Sequence, residues 1–174
     1  MTLQQLLAAV PYLPTKRAEI YLPLLSAEFN KRKFTARQKA HFLSQVGHES
    51  MSFRYTREIW GPTPSQARYE GRKDLGNTEP GDGKKFMGRG LIQVTGRANY
   101  RACSIALYAD EVLLRTPEIL ETPRAAVDSA FWFWDKNKLQ AIDDIAKLTK
   151  RINGGFNGFK DRQERFEQAL KVLT

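Results

Sequence analysis

The chain has 174 residues, 41% hydrophobic and 27% charged, which suits one globular domain with its own core. No apolar run approaches the roughly 20 residues a membrane-spanning helix needs, so no stable membrane insertion is expected. The 28 basic against 19 acidic residues give +9 and a pI near 9.8, a field that attracts polyanions: nucleic acid, anionic lipid or an acidic cell wall. The basic residues are dispersed, as in "KRK" at 31–33, "GRK" at 71–73 and "KR" at 150–151. Charge therefore gives the partner's sign and points to no specific nucleic acid. Cys103 is the only cysteine, which excludes an internal disulfide and a cysteine metal cluster, and fits a chain folded in a reducing cytosol.

Taken in chain order, "MTLQQLLAAV" reads as a first helix. It has no basic residue ahead of it, and Pro11 and Pro14 break the pattern directly after it, so a secretory signal is not expected. From Thr35, a capping residue, Ala36, Ala40, Leu43 and Val46 recur at helical spacing. Glu49 follows Phe42 and Val46 by seven and three residues, which would put it on their apolar stripe. Residues 61–90 hold seven of the twelve glycines and three of the eight prolines. So long an irregular segment within a domain is usually functional. "LIQVTG" at 91–96 could be a short strand or an extended turn.

Helical pattern returns after Asn99, and Thr122–Pro123 signals another helix start. That helix carries Val127, Ala130, Phe131 and Trp134 at core spacing, and Trp132 and Trp134 read as core rather than as sugar platforms. Ile145, Leu148 and Ile152 mark a helix that stops at Gly154–Gly155, and residues 160–173 form a last amphipathic one. There is no repeat, linker or low-complexity tail. Residues 1–174 thus read as a single, mainly α domain with an irregular smaller lobe at about 55–90, no separate wall-binding domain, and little or no β structure.

Two carboxyl groups within reach of each other suit hydrolysis of a glycosidic bond, where one must hold a proton and the other must be ionised. The Phe42–Val46 stripe would favour the protonated form at Glu49. Glu58 follows Arg57 among polar residues and would stay ionised. Other chemistries lack their residues. "HExxH" would need histidine at position 52, which is Ser52, and His41 and His48 are the only histidines, so no metal set forms. "GDGKKFMGRG" is no phosphate loop, and "GxSxG" is absent.

"GHES", "RE" at 57–58, "GRGLIQVTGRANY" and "INGG" occur in the order found in glycoside hydrolase family 19. The chain resembles that family of plant-type chitinases and related bacteriophage endolysins from about residue 36 to 166, and looks most like a disulfide-free endolysin. The resemblance implies a lysozyme-like, two-lobed helical fold with a cleft. It implies Glu49 as general acid, Glu58 as general base, and Thr95 as the hydroxyl that helps hold the attacking water. Gln93 and Asn99 would contact sugar, Asn153 would line the cleft, and Arg162 would join the substrate-binding set through a polar network behind the acids. The implied activity is that of a muramidase-type endolysin cleaving peptidoglycan glycan strands with inversion. It would act as a monomer, without metal or organic cofactor, after holin-type release from the bacterial cytoplasm to the periplasmic wall. A chitinase on the same scaffold and a non-catalytic wall-binding module are the rivals. Two departures stand out. Ala98 replaces a family tyrosine, and the loop from Glu49 to Glu58 is short, which leaves Glu70 and Glu79 as alternatives for the second acid.

Overall fold

The computed structural model describes residues 1–174. Ten α-helices carry it: α1 (Leu3–Ala9), α2 (Thr15–Lys31), α3 (Ala36–Glu49), α4 (Pro64–Ala67), α5 (Asp82–Lys85), α6 (Arg97–Tyr108), α7 (Val112–Arg115), α8 (Pro123–Lys136), α9 (Ile145–Asn153) and α10 (Phe159–Leu173). There is no strand, only isolated bridges between Arg57 and Arg89 and between Arg89 and Val94. No helix is long and apolar enough to cross a membrane. Contacts gather into two compact units, Met1–Arg54 with Trp134–Thr174, and Tyr55–Phe133. The second begins where the sequence places the irregular lobe but continues well past residue 90.

In the first unit, α3 is the central element. Thr35 and Gln38 form a reciprocal cap, each side chain accepting the other's backbone N–H, which fixes the helix start. The sequence suggests a one-sided stripe, yet every residue from Ala40 to Gly47 is buried. The reason is that α10 packs along α3, while Phe42 meets Phe29 edge-on at 5.4 Å and Trp134 at 5.1 Å. Burying side chains of this size contributes about 1.5–3 kcal/mol each. The polar residues enclosed with them have partners: the Ser44 hydroxyl donates to the His41 carbonyl, and the Gln45 amide donates to Thr149 Oγ1. The α9 helix stops at Gly154, whose φ of 78° is the left-handed cap that the glycine pair signals.

The irregular stretch of the second unit is cross-tied rather than loose. Asp82 is buried, accepts from the Thr78 and Glu79 amides, and receives a two-pronged contact from Arg97. Residues 89–94 form a tight turn instead of a strand. Arg89 and Val94 exchange backbone hydrogen bonds of 3.1 and 2.8 Å, and Gln93 sits at a φ of 58°. Gly90 is needed there, because its φ is 79° and a Cβ would fall 2.7 Å from Ser129 Oγ. Helix α8 starts at Pro123 as expected, while the Thr122 hydroxyl donates backward to the Ile119 carbonyl.

His41 is enclosed in the first unit, stacked on Phe166 at 4.1 Å with Nε2 3.1 Å from the Asp143 carbonyl. Burial holds its imidazole below the ordinary histidine value, partly offset by that carbonyl. The unfolded chain therefore binds a proton more readily in the window beneath about pH 6.5. Stability is complete above that pH and falls as pH drops through the lower folded value. Thermal melts between pH 7 and 5 should show this loss, and His41→Phe, which keeps the stack, should flatten it.

Candidate active site

Glu49 belongs to the first unit and Glu58 to the second. Glu49 is the last residue of α3, the end of a helix where an anion is least favoured. Its compensation is Arg162 from the first turn of α10, whose Nη2 lies 2.5 Å from Glu49 Oε1. Arg162 is buried, with side-chain exposure of 1% against 21% for Glu49. Its Nη1 donates to Gln45 Oε1 at 2.6 Å and its Nε to the Asn157 carbonyl at 3.3 Å. A chain of contacts thus runs Thr149–Gln45–Arg162–Glu49 through three helices, and Glu49 Oε2 is left without a hydrogen bond.

This corrects two expectations. The Phe42–Val46 stripe lies in the core, and the immediate partner of the Glu49 carboxyl is a guanidinium, not that stripe. Arg162 is too deeply enclosed to touch a sugar; what it contacts is Glu49, with Gln45 and the Asn157 carbonyl. Next to Glu49, His48 Nδ1 lies 2.7 Å from Asp161 Oδ2, the oxygen that Arg165 also contacts. Burial pushes the Asp161 carboxyl up, but Arg165 and His48 outweigh it and hold the group below the usual carboxylate range. Nowhere do three His, Cys, Asp or Glu side chains gather as a metal-ligating cluster.

Glu58 is fixed by backbone and side chain together. Its N–H donates to the Gly88 carbonyl at 2.9 Å, and the Gly88 N–H donates back to Glu58 Oε2 at 3.0 Å. Oε1 accepts from Gln66 Nε2 at 2.9 Å and from the Tyr69 hydroxyl at 3.3 Å. Burial, and then Glu58 itself, raise the Tyr69 phenol above its ordinary value, so it remains a donor. Three donors thus serve the Glu58 carboxyl group, and both of its oxygens accept.

Gly88 also opens the space in front of Glu58. A Cβ there would lie 2.6 Å from Gln93 Oε1 and 3.3 Å from both Glu58 Oε2 and Thr95 Oγ1. Three polar side chains therefore converge on one bare Cα. The turn presenting them is pinned by Arg89, a buried residue whose Nε meets Glu121 at 2.8 Å and whose Nη1 donates to the Lys85 carbonyl and Tyr100.

The remaining candidates separate by environment. Asn99 donates to the Thr95 carbonyl at 2.9 Å, steadying that residue, and Asn153 is exposed at the end of α9. Glu70 is occupied as a staple, accepting from the Gly81 and Gly83 amides, while Glu79 is exposed. Gln45, Gln66, Tyr69 and Gly88 were not singled out by sequence reasoning. "TPSQ" at 63–66 signals a capped helix start, and Gln66 is the capping-box residue of α4, but nothing local says that its amide also reaches Glu58.

Removing the guanidinium would strip Glu49 and Gln45 of their common partner. Arg162→Met should lower stability by about 3 kcal/mol in urea unfolding, and by clearly less in a Glu49→Gln background, because the two groups are coupled.

Comparisons with known proteins agree on one family. The family model described as chitinase class I, glycoside hydrolase family 19, matches residues 28–146. A glycosyl hydrolase family 19 domain-containing protein of Haemophilus influenzae is 33% identical over 152 residues, which cover 72% of this chain and 74% of that protein. An endochitinase of Arabidopsis thaliana is 36% identical over 121 residues, which cover 68% of this chain but 40% of the plant protein. Chitinase C from Streptomyces griseus superposes with a TM-score of 0.75 over 99% of this chain and 91% of that one, at 21% identity, which establishes the shared lysozyme-like helical fold. The chain belongs to glycoside hydrolase family 19, the chitinase class I family, and is a hydrolase of glycosidic bonds.

Proposed function

We propose that the chain is an endolysin-type muramidase that cleaves β-1,4 bonds between the amino sugars of bacterial peptidoglycan with inversion. The observation that supports this reading best is the Glu58 setting: a carboxylate held by Gln66, Tyr69 and the Gly88 amide, with Thr95 and Gln93 oxygens beside it. In an inverting reaction Glu58 takes a proton from water while Thr95 orients that water for attack on the anomeric carbon. Glu49 delivers a proton from Oε2 to the departing glycosidic oxygen, with Oε1 kept on Arg162. Such a scheme requires roughly 6.5–9.5 Å between the two carboxyl groups. Gln93, Asn99 and Asn153 contact the sugars, and no metal or organic cofactor takes part. The net charge of +9 suits a wall polymer bearing carboxylates. In this reading the chain works as a monomer at the periplasmic wall after holin-type release and lyses a bacterial host.

A second reading, favoured by the naming of the plant relative as an endochitinase, is hydrolysis of chitin at the same site. Mass spectrometry of digests separates the two. Purified peptidoglycan should yield fragments ending in reducing muramic acid, and chitin oligomers should be cleaved far more slowly; the reverse order would reject the muramidase. Proton NMR of the first-formed anomer should show inverted configuration, and retention would overturn the mechanism. Glu49→Gln should lower wall hydrolysis by at least about 100-fold, and because it leaves the buried Arg162 guanidinium without its counter-charge it should also lower the melting temperature while the folded far-UV spectrum is kept.

A further inference from the structure

Beside the first acid lies a recess of about 300 Å³ that the catalytic scheme does not use, lined by Tyr12, His48, Met51, Arg54 and the Asp161–Arg165 pair over Ser52. All of these residues belong to the first unit, and His48 directly precedes Glu49 in α3.

The backbone that builds the recess is held against its preferences. Tyr12, Met51, Ser52 and Phe53 have φ values of 67, 48, 58 and 62°, and none is glycine. A left-handed backbone of this kind is unfavourable for any residue with a Cβ. Two of the four have evident compensation. Phe53 is buried against Tyr21, and Ser52 is buried, donating to the Pro11 carbonyl and accepting from Arg165. Tyr12 and Met51 have only backbone hydrogen bonds, and their side chains stand 78% and 61% exposed at the edge of the recess. Strain that leaves large apolar side chains in solvent points to a surface shaped for a ligand.

Charge then narrows the ligand. Asp161 is answered by Arg165 and His48. Arg54 makes no ion pair; its one side-chain hydrogen bond is from Nε to the Tyr12 carbonyl at 3.3 Å, which ties the guanidinium to the Tyr12 backbone. The recess therefore offers an apolar edge, a polar floor and one uncompensated positive charge. A neutral chitin chain has no group for that charge. A muramyl residue has one, on the short peptide carried by its lactyl arm.

We infer that this recess binds the acidic lactyl-peptide arm of a muramyl residue, with a carboxylate on Arg54 and the lactyl and alanyl carbons against Tyr12 and Met51. The identity of the ligand rests on the peptidoglycan reading above. Binding there would anchor wall substrate next to Glu49 without touching either acid.

The three methionines give a direct probe, because Met51 is exposed in the recess and Met87 is buried in the other unit. In protein labelled at the methionine methyl carbons, muramyl dipeptide, which carries one free carboxylate, should shift the Met51 signal saturably and leave Met87 in place. Diacetylchitobiose should move neither. Arg54→Gln should weaken the response roughly tenfold, as expected for a lost charge-assisted contact. Tyr12→Gly relieves its backbone strain, so the fold should hold while the response fades. An unmoved Met51 at millimolar dipeptide, an equal response to chitobiose, or an undiminished response in Arg54→Gln would overturn the assignment. Muramic-acid ends released by a protein whose Met51 is silent would sink the recess alone. A Met51 response in a protein that releases no such ends would sink the muramidase reading and leave the recess as an acidic-peptide site.

Discussion

A buried guanidinium must be paired, and that requirement at Arg162 organises the first acid. The residue lies where α3, α9 and α10 meet, and its donors reach Glu49, Gln45 and the Asn157 carbonyl while Gln45 continues to Thr149. Each contact restricts the others, because leaving a charge uncompensated in the interior is far more costly than a lost surface pair. Glu49 is thereby held at one place on the end of α3, with a single oxygen free to work.

The second unit uses the same device at one remove. Arg89 is also enclosed and also paired, with Glu121, but it touches no acid of the site. It fixes the 89–94 turn, and through that turn the Gly88 amide, Gln93 and Thr95. Glu58 hangs on this assembly by its backbone N–H and Oε2, while Gln66 and Tyr69 hold Oε1. One acid therefore has a lone charged partner and an unoccupied oxygen, while the other has three neutral donors. That asymmetry arises from different local structures rather than from the two side chains themselves, and Glu49 Oε2 is the oxygen it leaves open.

Much of the helical framework was legible in the sequence. Thr35, Thr122 with Pro123, and the Gly154–Gly155 pair are local signals, and each marks a helix boundary in the structure. The candidate site residues were read from the ordered motifs alone, since no periodicity singles out Glu58 or Thr95. What could not be read depends on partners far away in the chain. Glu49 and Arg162 are separated by 113 positions, as are His48 and Asp161. The burial of α3 from Ala40 to Gly47 likewise comes from α10, Phe29 and Trp134. The left-handed run at Met51–Phe53 carries no glycine or asparagine to announce it, because its support comes from Pro11, Arg165 and Tyr21.

The division of labour between the acids can be tested through the leaving group. A dinitrophenolate departs without a proton, so a dinitrophenyl glycoside of the amino sugar has no need of a general acid but still needs an activated water. Turnover of that substrate should be close to the unmodified enzyme's in Glu49→Gln and nearly lost in Glu58→Gln. Rescue of Glu58→Gln instead, or of neither variant, would contradict the assignment of Glu49 as proton donor and Glu58 as base.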